Sequence, residues 1–265
     1  MMPTTVLLPG SWNSSRGASQ RTALHSRGIN EQVRRKLGIA GTGEQVRILV
    51  QRDLTEQQRR SSLAYRTGDR VQMLKDYKSV GLAKGEIAEV VSASNGTVVL
   101  RDEAGELHEW RPVDKPHAVA FQLAEREMAF GDRIRITAND YGRKIVNGEF
   151  ATVAALDEET RLLSITMTDG RLVTFKMDRP LHLEHGYCST VHSAQGATCE
   201  RVLVDASAQS GSTYQASYYV AISRARTEAR IYTDDLSMLP EKLTRTAEKS
   251  LALALEKSAR ALTIE

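Results

Sequence analysis

Apolar and polar positions follow different periods in different parts of this chain. Thr5-Val6-Leu7-Leu8 is a short apolar, β-branched run closed by Pro9-Gly10, the punctuation that follows a buried strand. Ile29, Val33 and Leu37 recur every four residues, which predicts a helix with one apolar face and with Arg34, Arg35 and Lys36 pointing elsewhere. Gly38 and Gly41-Thr42-Gly43 end that helix, and Val46 to Val50 reads as a second strand. Strand, helix and strand together predict an α/β layer at the start of the chain. The pattern returns after Pro180: residues 201–205 read as a strand, 212–226 as a helix and 229–233 as a closing strand. The two ends are therefore expected to share one sheet. A last amphipathic helix is predicted from near Pro240, with Leu243, Ala247, Leu251, Leu255, Ala259 and Leu262 along one side.

Between the two α/β segments the chain repeats itself. Gly68-Asp69-Arg70-Val71-Gln72-Met73 returns 63 positions later as Gly131-Asp132-Arg133-Ile134-Arg135-Ile136. At the same offset, Gly85-Glu86-Ile87-Ala88-Glu89-Val90 returns as Gly148-Glu149-Phe150-Ala151-Thr152-Val153. Ala104-Gly105-Glu106-Leu107 and Asp169-Gly170-Arg171-Leu172 answer each other after a drift to 65, as do Trp110 and Phe175. Each copy alternates apolar and polar residues between glycine turns, so each is expected to be a small, strongly bent antiparallel barrel of roughly 50–60 residues. Two SH3-like barrels in tandem are the expected result.

Composition narrows the class. With 265 residues, of which 41% are hydrophobic and 26% charged, the chain has enough apolar surface for a sizeable core. Two cysteines, Cys188 and Cys199, exclude a disulfide-rich scaffold and a four-cysteine zinc site, and they fit a cytoplasmic setting. No apolar run reaches the roughly 18 residues a membrane span needs, and the first residues lack the charged and apolar pattern of a secretion signal. The net charge is only +3, but residues 11–60 hold ten Lys/Arg against four Asp/Glu. That stretch either follows a phosphate backbone or forms a solvated basic surface.

Two segments carry candidate chemistry. In residues 187–198, hydroxyl side chains, His192, Gln195 and Gly196 gather where a strand is expected to end, the edge of an α/β sheet at which ligands bind. The polar groups can hydrogen-bond phosphate or sugar oxygens, and Gly196 lets backbone approach closely. A polar turn around a buried histidine is the alternative. In the second segment, Tyr218 to Arg226, a helical reading places Tyr219 and Ile222 on one face and sets Arg224 and Arg226 about 200° apart. One guanidinium can then face a cleft and stabilise charge on a phosphate undergoing transfer. Solvated arginines are the alternative here.

Taken together, Thr190-Val191-His192-Ser193-Ala194-Gln195-Gly196 and Tyr219-Val220-Ala221-Ile222-Ser223-Arg224-Ala225-Arg226 resemble motifs V and VI of superfamily 1 helicases. The likeness is to the RecD-like branch, including the helicase part of conjugative relaxases of the TraI and TrwC type. It implies an α/β fold in which a RecA-like parallel-sheet domain is interrupted by two tandem SH3-like β-barrels. The implied division is residues 1–62 with 178–240 for the RecA-like domain, 63–115 and 116–177 for the barrels, and 241–265 for the terminal helix. It implies that Thr190, His192 and Gln195 contact single-stranded DNA, that Gly196, Thr198 and Arg224 line the nucleotide, and that Arg224 is the catalytic finger reaching the γ-phosphate. Tyr219 to Ile222 would pack the helix that carries Arg224. Relatives place a ribose-contacting glutamate two positions after the glycine, where this chain has Thr198. The helix around Asn30 to Arg34 resembles the region of motif IV, with no catalytic role given to Arg34.

No Gly-x-x-x-x-Gly-Lys-Ser/Thr loop occurs in the 265 residues. ATP and Mg²⁺ are therefore expected only where a first motor domain is also present, and the chain alone is not expected to hydrolyse ATP. The resemblance implies as partners single-stranded DNA, the N-terminal helicase domain and a relaxase domain of one parent protein. A second reading is a translocation signal docking to the coupling protein of a type IV secretion system, without catalysis. A third is a double-barrel nucleic-acid binder with no motor role. His182, His185, Cys188 and His192 fall within eleven positions, but a strand there would turn neighbours to opposite faces, so no metal site is expected.

Overall fold

A computed structural model describes residues 4–8, 16–190, 199–206 and 215–244. In chain order the elements are β1 (Thr4–Leu8), α1 (Arg16–Leu37), β2 (Glu44–Gln51), α2 (Glu56–Arg59), β3 (Arg70–Met73), β4 (Ile87–Ser94), β5 (Thr97–Arg101) and β6 (Leu107–Trp110). They continue with β7 (Ala118–Met128), β8 (Arg133–Ile136), β9 (Phe150–Asp157), β10 (Leu162–Met167), β11 (Leu172–Lys176) and β12 (Leu183–His185). The last are β13 (Cys188–Thr190), β14 (Cys199–Asp205), α3 (Gln215–Ile222), β15 (Ala225–Tyr232) and α4 (Leu239–Thr244). The fold is α/β, made mostly of strands, and divides into two units, residues 1–13 with 189–265 and residues 14–188.

The first unit is built on a sheet of order β13-β1-β14-β15. β1 and β15 run parallel to β14 on either side, with Val6 opposite Leu203 and Leu203 opposite Arg230. The two ends of the chain thus meet in one sheet. Val202, Val204, Cys199, Ala206, Ala221 and Leu239 form its core. The expected closing strand begins earlier than the apolar pattern indicates, because Ala225 already pairs with Cys199. The helix expected over 212–226 is correspondingly shorter and ends at Ile222. Ser223 hydroxyl turns back onto the Val220 carbonyl at 2.9 Å, the kind of local bond that competes with helix continuation. Of the predicted terminal helix, α4 is described, and 245–265 lie outside the described residues.

The second unit holds two antiparallel sheets, ordered β2-β7-β3-β4-β5-β6 and β11-β10-β9-β8-β12. The internal repeat appears strand by strand: β3 answers β8 and β4 answers β9. A bulge skips Val91 between β4 and β5 and skips Ala154, 63 positions on, between β9 and β10. Gly85 and Gly148 take φ of +90° and +93° and donate to the Met73 and Ile136 carbonyls, a turn that a side chain would strain. Asp69 and Asp132 are both buried, each accepting the amide N–H three residues before it. Each copy has its own core, one around Trp110, Leu100 and Val71, the other around Leu163, Ile165 and Ile134.

Among the described residues neither strand order closes into a ring. One expectation is corrected here. The strand Val46–Val50 does not join the parallel sheet: β2 pairs antiparallel with β7 along its whole length, from Glu44 opposite Met128 to Gln51 opposite Phe121. On its other edge the Leu49 N–H donates to the Leu181 carbonyl and the Leu181 N–H to the Arg47 carbonyl. Alternation identifies the buried face of a strand, here Val46 and Ile48, but not its partner.

Candidate functional site

The segment that resembles motif V enters on β13. Thr190, half-buried, is its last residue, and the chain resumes at Cys199, the first residue of β14. His192, Gln195, Gly196 and Thr198 lie outside the described residues. The Cys199 N–H donates to the Arg224 carbonyl at 2.9 Å. The backbone that leaves one motif is thus hydrogen-bonded to the arginine of the other.

Arg224 sits in the turn between α3 and β15. Its N–H donates to the Ala221 carbonyl at 3.2 Å, a tightened last turn after the Ser223 N–H bond to Tyr219. Its side chain is folded along the helix end, with Nε donating to the Val220 carbonyl at 3.2 Å and Nη2 to Ser223 Oγ at 3.3 Å. A guanidinium that satisfies the free carbonyls of a helix C-terminus is favourably placed in the helix dipole, and it retains further donors for an incoming anion.

Two expectations about this segment change. Arg226 is not on the helix but in β15, where it faces Glu200 across the strand pair at 3.6 Å. Tyr219 is 68% exposed and does not pack the helix. Fully buried Ala221, with partly buried Val220 and Ile222, holds α3 against the sheet.

The histidines near motif V have structural partners. His182 lies edge-on to Phe121 with ring centroids 5.1 Å apart, and His185 Nε2 is 3.0 Å from the Glu127 carbonyl. Burial holds both imidazoles below their ordinary pKa, which favours the neutral ring. Asp102, Glu106 and His108 bring ligand-type atoms within 4.8 Å of one another. Both His108 ring nitrogens are already engaged, by Asp102 and by the Val80 carbonyl, so this group offers no free imidazole lone pair to an ion.

A buried polar network escaped the sequence reading. Arg34 of α1 binds Asp132 and Glu127, and Asp132 also accepts the Tyr187 hydroxyl at 3.0 Å. Asn30 Oδ1 accepts the Cys188 N–H at 2.8 Å, two residues before Thr190. Its one signal in the sequence is the spacing of Asn30 and Arg34, a single helical turn apart and so on one side of α1.

Residues 126–233 match the family profile of the viral superfamily 1 RNA helicase core domain. The chain is 26% identical over 174 residues to the multifunctional conjugation protein TraI of Escherichia coli, an alignment covering 61% of this chain and 10% of TraI. It is 32% identical over 102 residues to the RecBCD enzyme subunit RecD of Mycolicibacterium smegmatis, covering 38% of this chain and 18% of RecD. A solved Pif1 helicase from Bacteroides, in complex with ADP-AlF3 and ssDNA, aligns at 20% identity and a TM-score of 0.37, over 52% of this chain and 35% of that one. The chain therefore spans a tenth of TraI and less than a fifth of RecD.

Proposed function

We propose, for a chain related to the superfamily 1 helicases, that it forms part of an ATP-dependent DNA motor of the conjugative relaxase-helicase kind. In this reading the parallel sheet is the RecA-like second motor domain, and the two repeated modules are insertions of SH3-like descent. The chain contributes one wall of the nucleotide cleft. Arg224 is the catalytic finger that stabilises charge on the transferring phosphoryl group, while Gly196 and Thr198 approach the nucleotide. Thr190, His192 and Gln195 contact single-stranded DNA through its phosphates and sugars.

What supports the reading above all is the hydrogen bond from the Cys199 N–H to the Arg224 carbonyl. Strand movement felt by the motif V segment is passed by one backbone contact to the arginine, as a coupling of DNA to hydrolysis requires. A phosphate-loop domain would supply the opposite wall and with it the ATP and Mg²⁺ site; residues of the first unit would face the γ-phosphate, and Arg224 would stabilise the charge on it as water attacks.

The test joins this chain to a phosphate-loop motor domain and measures ATPase with and without single-stranded DNA. Arg224→Ala should lower turnover on the order of a hundredfold with little change in nucleotide binding. An unchanged rate removes the finger assignment. Binding of single-stranded DNA should weaken steeply with salt, and a flat response removes the phosphate contacts.

The match to a conjugation protein favours one second reading, in which the repeated modules dock to a type IV secretion coupling protein. Deleting the modules would then abolish transport of the parent protein; unchanged transport rules it out.

A further inference from the structure

In each of the two repeated modules a nitrogen-bearing side chain from the neighbouring hairpin reaches a long loop. In the first module that side chain is His108, on β6. Its Nδ1 lies 2.8 Å from the Val80 carbonyl and its Nε2 lies 2.9 Å from Asp102 Oδ2. In the second it is Arg171, beside β11, whose Nε donates to Asp169 Oδ2 at 2.6 Å. The Arg171 Nη1 and Nη2 groups donate to the Arg143 and Lys144 carbonyls at 3.2 and 3.3 Å.

The acceptors correspond. Arg143 stands 63 positions after Val80, and Lys144 stands 63 after Gly81. Gly81 and Lys144 both adopt positive φ, +81° and +56°, and their N–H groups donate back to the equivalent carbonyls of Lys78 and Tyr141. One duplicated turn is therefore clasped twice, by an aspartate-anchored side chain in each case. The two differ in kind: a guanidinium keeps its charge at every accessible pH, and an imidazole does not.

A carbonyl and a carboxylate both accept hydrogen bonds, so His108 satisfies both only with a proton on each nitrogen. We infer that His108 is an imidazolium latch whose deprotonation frees the Val80 carbonyl and loosens the loop from Lys75 to Lys84, while the Arg171 clasp on the equivalent loop stays closed over the same rise in pH. A neutral ring has one N–H to give, and the carboxylate of Asp102 is the stronger acceptor, so the Val80 bond is the one lost. The charges acting on His108 most strongly are Asp102 and Glu106, both on its own hairpin; from the loop it faces the uncharged Val80 carbonyl and the backbone of Gly81. The hydrogen bond that His108 gives to Asp102 leads the causes that raise the His108 pKa above its ordinary value of 6.5, and the same contact lowers that of Asp102. The sign follows: a raised folded pKa gives full stabilisation below about 6.5 that is lost as pH rises through the folded value. The loosened loop carries Lys75, Lys78 and Lys84, all exposed, and stays rooted by buried Val80 and Leu82.

Hydrogen exchange across pH, expressed as protection relative to unstructured peptide, tests the latch with its own internal control. Opening of residues 75–84 should increase by up to about tenfold per pH unit above 6.5 and then level off once the raised pKa is passed. Residues 138–147 should show no such slope. Long-range ¹⁵N spectra at pH 6 should show both His108 nitrogens protonated. In His108→Gln the slope of the first loop should vanish. A flat first loop, equal slopes in both loops, a singly protonated His108 at pH 6, or a slope that survives in the variant each overturns the inference.

Discussion

Arg34 and Asp132, 98 positions apart in the chain, meet in a buried pair, with Nε 2.9 Å from one carboxylate oxygen and 3.1 Å from the other. Their side chains are 4% and 0% exposed. The Asp132 carboxylate also accepts the Ala129 N–H and the Tyr187 hydroxyl, and the Arg34 Nη1 reaches Glu127 at 3.2 Å. Asp69, the same position in the earlier repeat, is paired with Arg52, which also donates to the Ala64 carbonyl. An arginine from upstream thus anchors the opening turn of each copy.

Breaking the Arg34 pair from one side should be far worse than replacing both partners. Asp132→Leu leaves a buried guanidinium with Glu127 as its one remaining carboxylate, and should cost about 3–5 kcal/mol. Combining Arg34→Met with Asp132→Leu should cost less than the two single changes added together. Urea unfolding of the four proteins measures this, and strict additivity would show that the two groups do not act as a pair.

Two glycines should respond in opposite directions to alanine. A Cβ at Gly43 would stand 2.1 Å from the Met128 carbonyl oxygen and 2.8 Å from Ala129 Cα, backbone that cannot step aside, so Gly43→Ala should lower the melting temperature clearly. Gly28 lies within α1 with nothing within 4 Å of its Cβ position. Gly28→Ala should stabilise by about 0.5–1 kcal/mol, through helix propensity alone. Thermal melts compare them directly, and a Gly43→Ala protein as stable as the parent would contradict the close approach.

Alkali should loosen the second unit through Tyr187. Burial first, and then its neighbour Asp132, push this phenol up to about 12 from 10.0. A raised folded value means that stability is complete below pH 10 and declines as pH rises from 10 to 12. Ultraviolet titration should show a late-ionising tyrosine that disappears in Tyr187→Phe. That variant should also have a smaller loss of stability between those pH values. Identical curves would place the phenol elsewhere.

The repeat was legible because its signals are local. Paired Gly-Asp and Gly-Glu blocks mark turns, and turns recur with their strands, as β3 with β8 and β4 with β9. The meeting of the chain ends was legible from two apolar runs flanking the repeat. What sequence did not reveal was partnership over distance. Nothing in α1 identifies Asp132 as the residue Arg34 binds, and the alternation of β2 fits equally a parallel or an antiparallel neighbour. Arg224 was singled out from its motif, whereas its backbone bond to Cys199 needed coordinates. The reading of Arg226 as helical failed because periodicity extends past a Ser-Arg turn that backbone competition ends.

β7 belongs to both repeats at once. Ala118 to Phe121 pair with β3 and bury Ala118 and Ala120 in one core, while Phe121 to Met128 pair with β2 and bury Met128 in the other. Duplication has therefore not produced interchangeable cassettes. Excising either half would strip the survivor of a wall, and melting one must drag the other with it, so calorimetry on the intact chain should resolve a single transition for this pair instead of two.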